Sequence, residues 1–252
     1  MRVTVSGAGP DLVLLHGWGM NARVWEDLAP ELAQRFRVHN VDLPGHGGSA
    51  TCRPYTLASI SAALASALPA RALVCGWSLG GQVALNWALT APAQVARLVL
   101  IASTPRFVRE TGWDCGMEVA AFNGFAHGLA ADPEATLQRF ILLQAQGDTA
   151  ARAVARRLRE LALAHGMPDA ASLAAGLQIL RQTDLRADLP HIRQPVLIMH
   201  GERDSVVPLA AGACMRSGLP HSTLEVIAGA AHAPFIAQPR IAARRIAEFC
   251  DG

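Results

Sequence analysis

The chain of 252 residues is long enough for one large α/β domain, or for such a domain with an insertion, around a sizeable core. Its formal net charge of +2, without a long basic run, argues against nucleic acid as a partner. The five cysteines are scattered and lack C-x-x-C spacing, which argues against a disulfide framework or a zinc site and favours a reducing cytoplasm.

The sequence carries no signal-peptide pattern and no apolar stretch of membrane-spanning length. We therefore expect a soluble cytoplasmic protein with no membrane partner, and we expect it to be a monomer.

Strands and helices alternate along the first hundred residues. The predicted strands cover residues 3–5, 12–15, 36–41, 72–75 and 95–102. Helical spacing of apolar residues occurs at 22–35 and 56–68, and again after residue 78. This alternation predicts an α/β fold in which a mostly parallel sheet is covered by helices on both faces.

A serine stands between the fourth predicted strand and the helix after it, in Gly76-Trp77-Ser78-Leu79-Gly80. The G-x-S-x-G pattern in a strand-turn-helix context predicts a nucleophile, with the glycines leaving room for a strained turn. The backbone N–H of Leu79, at the helix N-terminus, is expected to meet an oxyanion. A glycine-rich turn that only packs a helix on a sheet is the alternative interpretation.

The alternation stops between residues 105 and 188. Three helices without an intervening strand are predicted there, at 134–146, 150–165 and 170–183. Strands resume at 195–199 and 223–227, and a last helix is predicted at 236–250. We therefore expect a core of residues 1–104 and 189–252, with a helical lid of residues 105–188 over the C-terminal edge of the sheet.

An activated serine needs a base, and the base needs an acid that orients it. In sheets of this kind the acid and then the histidine follow the serine, each after a strand. Asp204 lies on the loop after the strand 195–199, where its spacing from the preceding glycine favours it over Glu202. His232 follows the last predicted strand. The predicted catalytic residues are therefore Ser78, Asp204 and His232.

The loop after the strand 12–15 reads His16-Gly17-Trp18-Gly19 and is expected to supply the second oxyanion donor. The Trp18 N–H would donate, and its indole would form a wall of the acyl pocket. A partly buried aromatic residue without a catalytic part is the alternative for this side chain. Phosphate-loop, dinucleotide and metal-ligand spacings are missing, so no cofactor and no metal are predicted.

Five motifs make the chain resemble the α/β-hydrolase family along nearly its whole length: HGWG, DLPGHGGS, GWSLGG, GERD and GAAHAPF. A more specific resemblance is to the pimeloyl-acyl-carrier-protein methyl ester carboxylesterases of biotin synthesis. It is carried by HGWGMNARVW, VDLPGHG, GWSLGGQVALNWALTAP, RFILLQ and AAHAPFI. Those enzymes remove the methyl group that masks the distal carboxylate of a pimeloyl chain on its carrier protein. The resemblance implies the same reaction here, through an acyl-enzyme on Ser78.

Matching positions imply roles for further residues. The substrate-binding set would comprise Trp18, Leu79, Phe140, Ile141, Leu142, Leu143, Gln144 and His232. The acidic acyl-carrier protein would bind Arg139, Arg152 and Arg156. Ala135 departs from the family, which can carry another arginine there. A solvated helix face without a partner is the alternative for Arg152 and Arg156.

The implied substrate contains a thioester as well as a methyl ester, and the thioester is intrinsically the easier target. We therefore expect the lid to act as a ruler that keeps the carrier outside, so that only the distal end of the chain reaches Ser78. The alternative functions are a general short-chain carboxylesterase, a C–C or lactone hydrolase on the same triad, and a non-catalytic ligand-binding protein of this fold.

Overall fold

A computed structural model of the chain describes residues 1–164 and 166–251. Seven strands form one sheet in the order β1-β3-β2-β4-β5-β6-β7. They are β1 Val3–Ser6, β2 Asp11–Leu15, β3 Arg37–Val41, β4 Ala72–Trp77, β5 Val95–Ile101, β6 Val196–Gly201 and β7 Ser222–Ile227. β1 pairs antiparallel with β3, and the other pairs of neighbouring strands are parallel. The predicted mostly parallel sheet is confirmed.

Ten α-helices lie within the described residues: α1 Ala29–Leu32, α2 Leu57–Ala67, α3 Leu79–Thr90, α4 Val119–Ala131, α5 Pro133–Ala145, α6 Ala151–Leu163, α7 Ala170–Gln182, α8 Leu209–Gly218, α9 Pro234–Ala237 and α10 Pro239–Asp251. Short 3-10 helices cover Ala22–Trp25 and Arg186–His191. Residue 165, the predicted end of one helix, and residue 252, the predicted end of the core, lie outside the described residues.

The predicted helix at 22–35 is wrong as a single element. It is divided into the 3-10 helix Ala22–Trp25 and α1, with Pro30 in the first turn of α1. Proline has no N–H to donate to the preceding turn, so one helix cannot run through this stretch. The apolar spacing that suggested the helix still faces the core, because Trp25 and Leu28 are fully buried.

Four helices, α4 to α7, separate β5 from β6 in the sequence. Two of them begin at side-chain caps: Asp132 accepts a hydrogen bond from the Ala135 N–H at 2.9 Å, and Asp169 accepts one from the Ser172 N–H at 2.8 Å. This is the region for which the sequence predicts a lid of residues 105–188, and that division of the chain remains a prediction.

Candidate active site

Ser78 occupies a strained turn between β4 and α3, with φ at 54° and ψ at −117°. The turn closes tightly, because a Cβ at Gly76 would collide with the Gly80 carbonyl and one at Gly80 with the Leu15 carbonyl. The Ser78 N–H donates to the Ile101 carbonyl at 2.9 Å, which fixes the turn to β5. The surrounding backbone thus holds a conformation that a free serine would avoid.

Three predicted residues from separate loops meet at this turn. His232 Nε2 lies 3.1 Å from Ser78 Oγ, and His232 Nδ1 lies 2.8 Å from Asp204 Oδ2. The other carboxylate oxygen of Asp204 accepts hydrogen bonds from the Val206 and Val207 N–H groups, both at 2.9 Å. An ionised carboxylate only accepts, so the proton of a neutral His232 belongs on Nδ1 and Nε2 is free to take the serine proton.

Glu202, the rival acid, makes a different contact. Its side chain accepts a hydrogen bond from the Gly229 N–H at 2.8 Å, in the loop that leads to His232. Glu202 is exposed, whereas the side chain of Asp204 is fully buried against the imidazole. The geometry therefore selects Asp204 as the partner of His232.

A second carboxylate, Asp148, supports the histidine loop and was missed from the sequence. This residue lies between α5 and α6, is buried, and accepts hydrogen bonds from the Ala231 N–H at 2.9 Å and the Ala150 N–H at 2.7 Å. The His232 N–H donates to the Gln144 carbonyl at 3.1 Å, just before the same connection. The connection between α5 and α6 thereby fixes the backbone on which the imidazole is mounted.

His200, also missed, is buried behind Asp204. Its Nε2 lies 2.8 Å from the Val207 carbonyl and 3.5 Å from Asp204 Oδ2. Burial lowers the pKa of His200, and the nearby carboxylate opposes this shift only in part. A neutral His200 donates its Nε2–H to Val207 and leaves the charge on Asp204 for His232. The only sequence signal was its place at the end of the predicted strand, before the motif GERD.

The two predicted oxyanion donors lie next to Ser78, the predicted nucleophile. Leu79 is the first residue of α3, where an N–H has no acceptor within the helix. A Cβ at Gly17 would lie 3.3 Å from Ser78 Cβ, so the loop that carries Trp18 touches the serine. Within the described part of the chain, neither the Trp18 nor the Leu79 N–H donates a backbone hydrogen bond. Both remain available to a developing oxyanion.

The indole of Trp18 joins the first loop to the helices after β5. Its Nε1–H donates to the Leu173 carbonyl of α7 at 2.8 Å, and its ring meets Phe140 of α5 edge-on at 5.0 Å between centroids. Phe140 in turn packs edge-on against Phe125 of α4, at 5.7 Å. These rings form an apolar wall beside Ser78, which is only 6% exposed.

The five consecutive residues 140–144, assigned by resemblance to substrate binding, do not share one face of α5. Successive helical residues are turned by about 100°, so five of them point around the whole helix. Phe140 meets Trp18, and the side chain of Gln144 is buried near the histidine loop. Leu143 is half-buried, and Leu142 is 62% exposed in an outer groove that Ile141 also lines. The part of Leu142 in substrate binding remains a prediction, and its side chain faces this outer groove.

That outer groove, of about 340 Å³, runs between α5 and α6 and is bordered by Arg152, Arg156 and Arg159. Arg156 lies 3.9 Å from Glu160, one turn further along α6. Arg139 is directed elsewhere, since its guanidinium donates to Thr136 beside α4. Two of the three predicted carrier-binding arginines therefore share the groove, and the third lies on another flank of α5.

Arg157, the neighbour of Arg156, contacts the core instead of the groove. Its guanidinium donates twice to the Asp27 carboxylate, at 2.8 Å each, and so ties α6 to the core. These hydrogen bonds to Asp27 raise the pKa of the Arg157 guanidinium.

No described helix has the length and apolar character needed to cross a bilayer. Within residues 1–164 and 166–251, no three histidine, cysteine, aspartate or glutamate side chains cluster in a way that could bind a metal ion.

Comparison with known proteins agrees with this geometry. A family model described as alpha/beta hydrolase fold matches residues 10–239. The pimeloyl-[acyl-carrier protein] methyl ester esterase of Nitrosomonas europaea is 46% identical over 95% of each chain. That of Edwardsiella ictaluri is 43% identical over 98% of this chain and 95% of its own. Among solved structures, an esterase from Exiguobacterium antarcticum superposes with a TM-score of 0.90 at 23% identity, covering 100% of this chain and 95% of its own.

Proposed function

Since the chain belongs to the α/β-hydrolase family and to its pimeloyl-[acyl-carrier protein] methyl ester esterases, we propose that it hydrolyses the methyl ester of pimeloyl-acyl-carrier protein, a step of biotin synthesis. The protein is a carboxylic ester hydrolase. The observation that supports the proposal most is the hydrogen-bonded chain from Ser78 through His232 to Asp204, in a sequence 46% identical to an esterase of that name.

Ser78 is the proposed nucleophile. As its Oγ attacks the methyl ester carbonyl, the proton passes over the 3.1 Å contact to His232 Nε2. Asp204 stabilises the imidazolium that forms, because its buried carboxylate accepts the Nδ1–H. The carbonyl oxygen becomes an oxyanion and accepts hydrogen bonds from the N–H groups of Leu79 and Trp18.

Collapse of this intermediate breaks the bond to the methoxy oxygen, and His232 returns the proton so that methanol leaves. The acyl group remains on Ser78. Water then attacks the acyl-enzyme, with His232 again taking the proton, and the free carboxylate is released while the thioester at the other end is untouched.

Choice of the methyl ester over the thioester requires geometry, since the serine chemistry alone favours the thioester. The nucleophile lies beneath an apolar cover formed by Trp18 and Phe140. A pimeloyl chain threaded past these rings would bring its distal ester to Ser78 while the carrier stays outside. The helices between β5 and β6 would then act as the ruler that sets this distance.

The groove between α5 and α6 is the proposed docking surface for the carrier. Arg152, Arg156 and Arg159 line it with exposed guanidinium groups, which suit an acidic protein and the phosphate of its prosthetic arm. Leu142 adds an exposed apolar surface between them. Arg139, on another flank, is expected to contribute less.

The proposal is tested by following two products from pimeloyl-acyl-carrier protein methyl ester, methanol and free carrier thiol. We expect methanol without free thiol, and kcat/KM well above that for soluble dimethyl pimelate. Release of thiol would contradict the proposed selectivity. Equal kcat/KM for the two esters would favour a general esterase.

A further inference from the structure

Two cysteines distant in the sequence meet at the surface. The Sγ atoms of Cys115 and Cys214 are 3.2 Å apart, and both cysteines are free thiols. Cys115 lies in the loop between β5 and α4, and Cys214 lies on α8. We propose that these residues form a reversible disulfide that fastens the loop before α4 to helix α8 when the protein meets a small-molecule disulfide such as oxidised glutathione.

The loop that carries Cys115 has a fixed shape. It folds back on itself, with the Arg109 N–H donating to the Met117 carbonyl at 2.9 Å and the Trp113 N–H donating to the Glu110 carbonyl at 2.9 Å. The buried Trp113 anchors the loop further. The hydrogen bonds of this loop therefore hold Cys115 next to Cys214 on α8.

The other thiol is equally well placed. Ala211 and Met215, its neighbours on α8, are fully buried, while Cys214 is exposed on the outer face of the helix. A Cβ at Gly212 would lie 2.9 Å from the ring of His200, which shows how closely α8 packs on the end of β6. An S–S bond is about 2.05 Å long, so the two sulfurs, 3.2 Å apart, need to approach by roughly 1 Å to form one.

The order of attack follows from the two environments. Burial raises the pKa of Cys115 to about 11, helped by its hydrogen bond to Cys214 and by Asp114. Cys115 thus keeps its proton near neutral pH, and the exposed Cys214 is the sulfur that attacks first.

The exchange balances in two steps. The Cys214 thiolate attacks one sulfur of the small disulfide and expels the other as a thiolate, which leaves a mixed disulfide on Cys214. Cys115 then gives its proton to a thiolate and attacks the Cys214 sulfur, which expels the second small thiol. Two protein thiols are oxidised to one disulfide, and one small disulfide is reduced to two thiols.

The test treats the full chain with oxidised glutathione, followed by intact-mass measurement and peptide mapping without reduction. We expect a protein lighter by two hydrogens, a linked pair of peptides containing residues 115 and 214, and reversal by dithiothreitol. The link closes a loop of about 100 residues, so the melting temperature should rise by about 5 °C or more. Amide exchange in residues 106–118 should slow.

Three cysteine-to-serine variants supply the controls. Cys52→Ser removes a half-buried thiol away from the pair and should still form the link, whereas Cys115→Ser and Cys214→Ser should not. Their melting temperatures without oxidant show whether each variant is folded. A stable glutathione adduct on Cys214 without the link, or a link between other cysteines in the unmutated chain, would overturn the proposal.

Discussion

Ser78 shows at the scale of one residue how the fold holds a strained backbone for chemistry. Its φ of 54° and ψ of −117° suit glycine, and such strain costs about 1–3 kcal/mol in an L-residue. A glycine lowers the stability of a protein by about 0.4–1 kcal/mol, because it gives the unfolded chain more conformational freedom. The strain is the larger effect, so relieving it should stabilise the protein.

We therefore predict that the free energy of unfolding of the Ser78→Gly variant exceeds that of the Ser78→Ala variant by about 1 kcal/mol, as measured by urea denaturation. Both variants should lack esterase activity. Equal stability of the two would mean that the turn is not strained in solution.

Three buried histidines make stability depend on pH. Burial lowers the pKa of His16 to about 3 and also lowers the pKa values of His46 and His200. The charges of Asp42 and Asp169 oppose the shift of His46 without reversing it. The unfolded chain takes up protons at these rings below about pH 6.5, and the folded chain takes them up only at lower pH, so stability is lost as the pH falls.

We predict that the free energy of unfolding falls by about 1.4 kcal/mol or more between pH 7.5 and pH 5.5, which is the contribution of His16 over the whole of this range, and that His46 and His200 add to the loss. His46→Gln should make the fall of stability with pH shallower, because it removes one of the buried rings. Denaturation midpoints that do not vary with pH would contradict this account.

The sequence predicted residues that sit in a motif with a fixed place in the fold. Ser78, Asp204 and His232 each follow a predicted strand, so their meeting could be expected. Asp148 could not be found in this way, because its acceptor role exists only where a distant loop brings in the Ala231 N–H. The outward direction of Leu142 could not be predicted either, because a motif match carries no information about which way each helical residue faces.

Among the elements, the short connection between α5 and α6 positions the loop that carries His232. Asp148 accepts the N–H of Ala231, a fully buried residue next to His232. Removing the carboxylate leaves that N–H without its acceptor, at a cost of about 1–3 kcal/mol, and frees the loop that positions the imidazole.

We predict that Asp148→Ala lowers kcat for a small soluble ester about tenfold in addition to lowering stability. Asp132→Ala is the matched control, because it removes the cap of α5 and should cost about 1 kcal/mol of stability with kcat retained. Similar kcat values for the two variants would show that Asp148 acts on stability alone.

The positive charge on α6 allows a test of the proposed carrier-docking groove. Changing Arg152 and Arg156 together to glutamate should lower kcat/KM for the carrier-bound ester at least tenfold, because the groove would then repel an acidic partner. Turnover of a small soluble ester should be unchanged. The same double change at Arg240 and Arg244 on α10 is the control, and loss on both substrates would contradict the docking proposal.

Elements with strong patterns were predictable, and those with weak patterns were not. The buried strands and α2, α5 and α7 were located within about two residues, because their apolar spacing or capping residues are distinct. The helix α4 was missed since Gly124 and Gly128 disfavour a helix locally, and packing against α5 and α7 overrides this preference.

For the molecule as a whole, the central feature is that Ser78, the proposed nucleophile, is enclosed between the C-terminal edge of the sheet and the helices that follow β5. Ser78 is 6% exposed, and its neighbours Trp18 and His232 are almost fully buried. Such a site suits a narrow chain that carries a reactive group at its far end. The site and the outer groove on α6 together make up the proposed ruler.

The most direct test of this account is the intact mass of pimeloyl-acyl-carrier protein methyl ester after incubation with the enzyme. We predict that the carrier loses one methyl group and keeps its pimeloyl thioester, and that Ser78→Ala leaves its mass unchanged. A carrier stripped of its acyl chain, or one still fully methylated after incubation with the wild-type enzyme, would contradict the account.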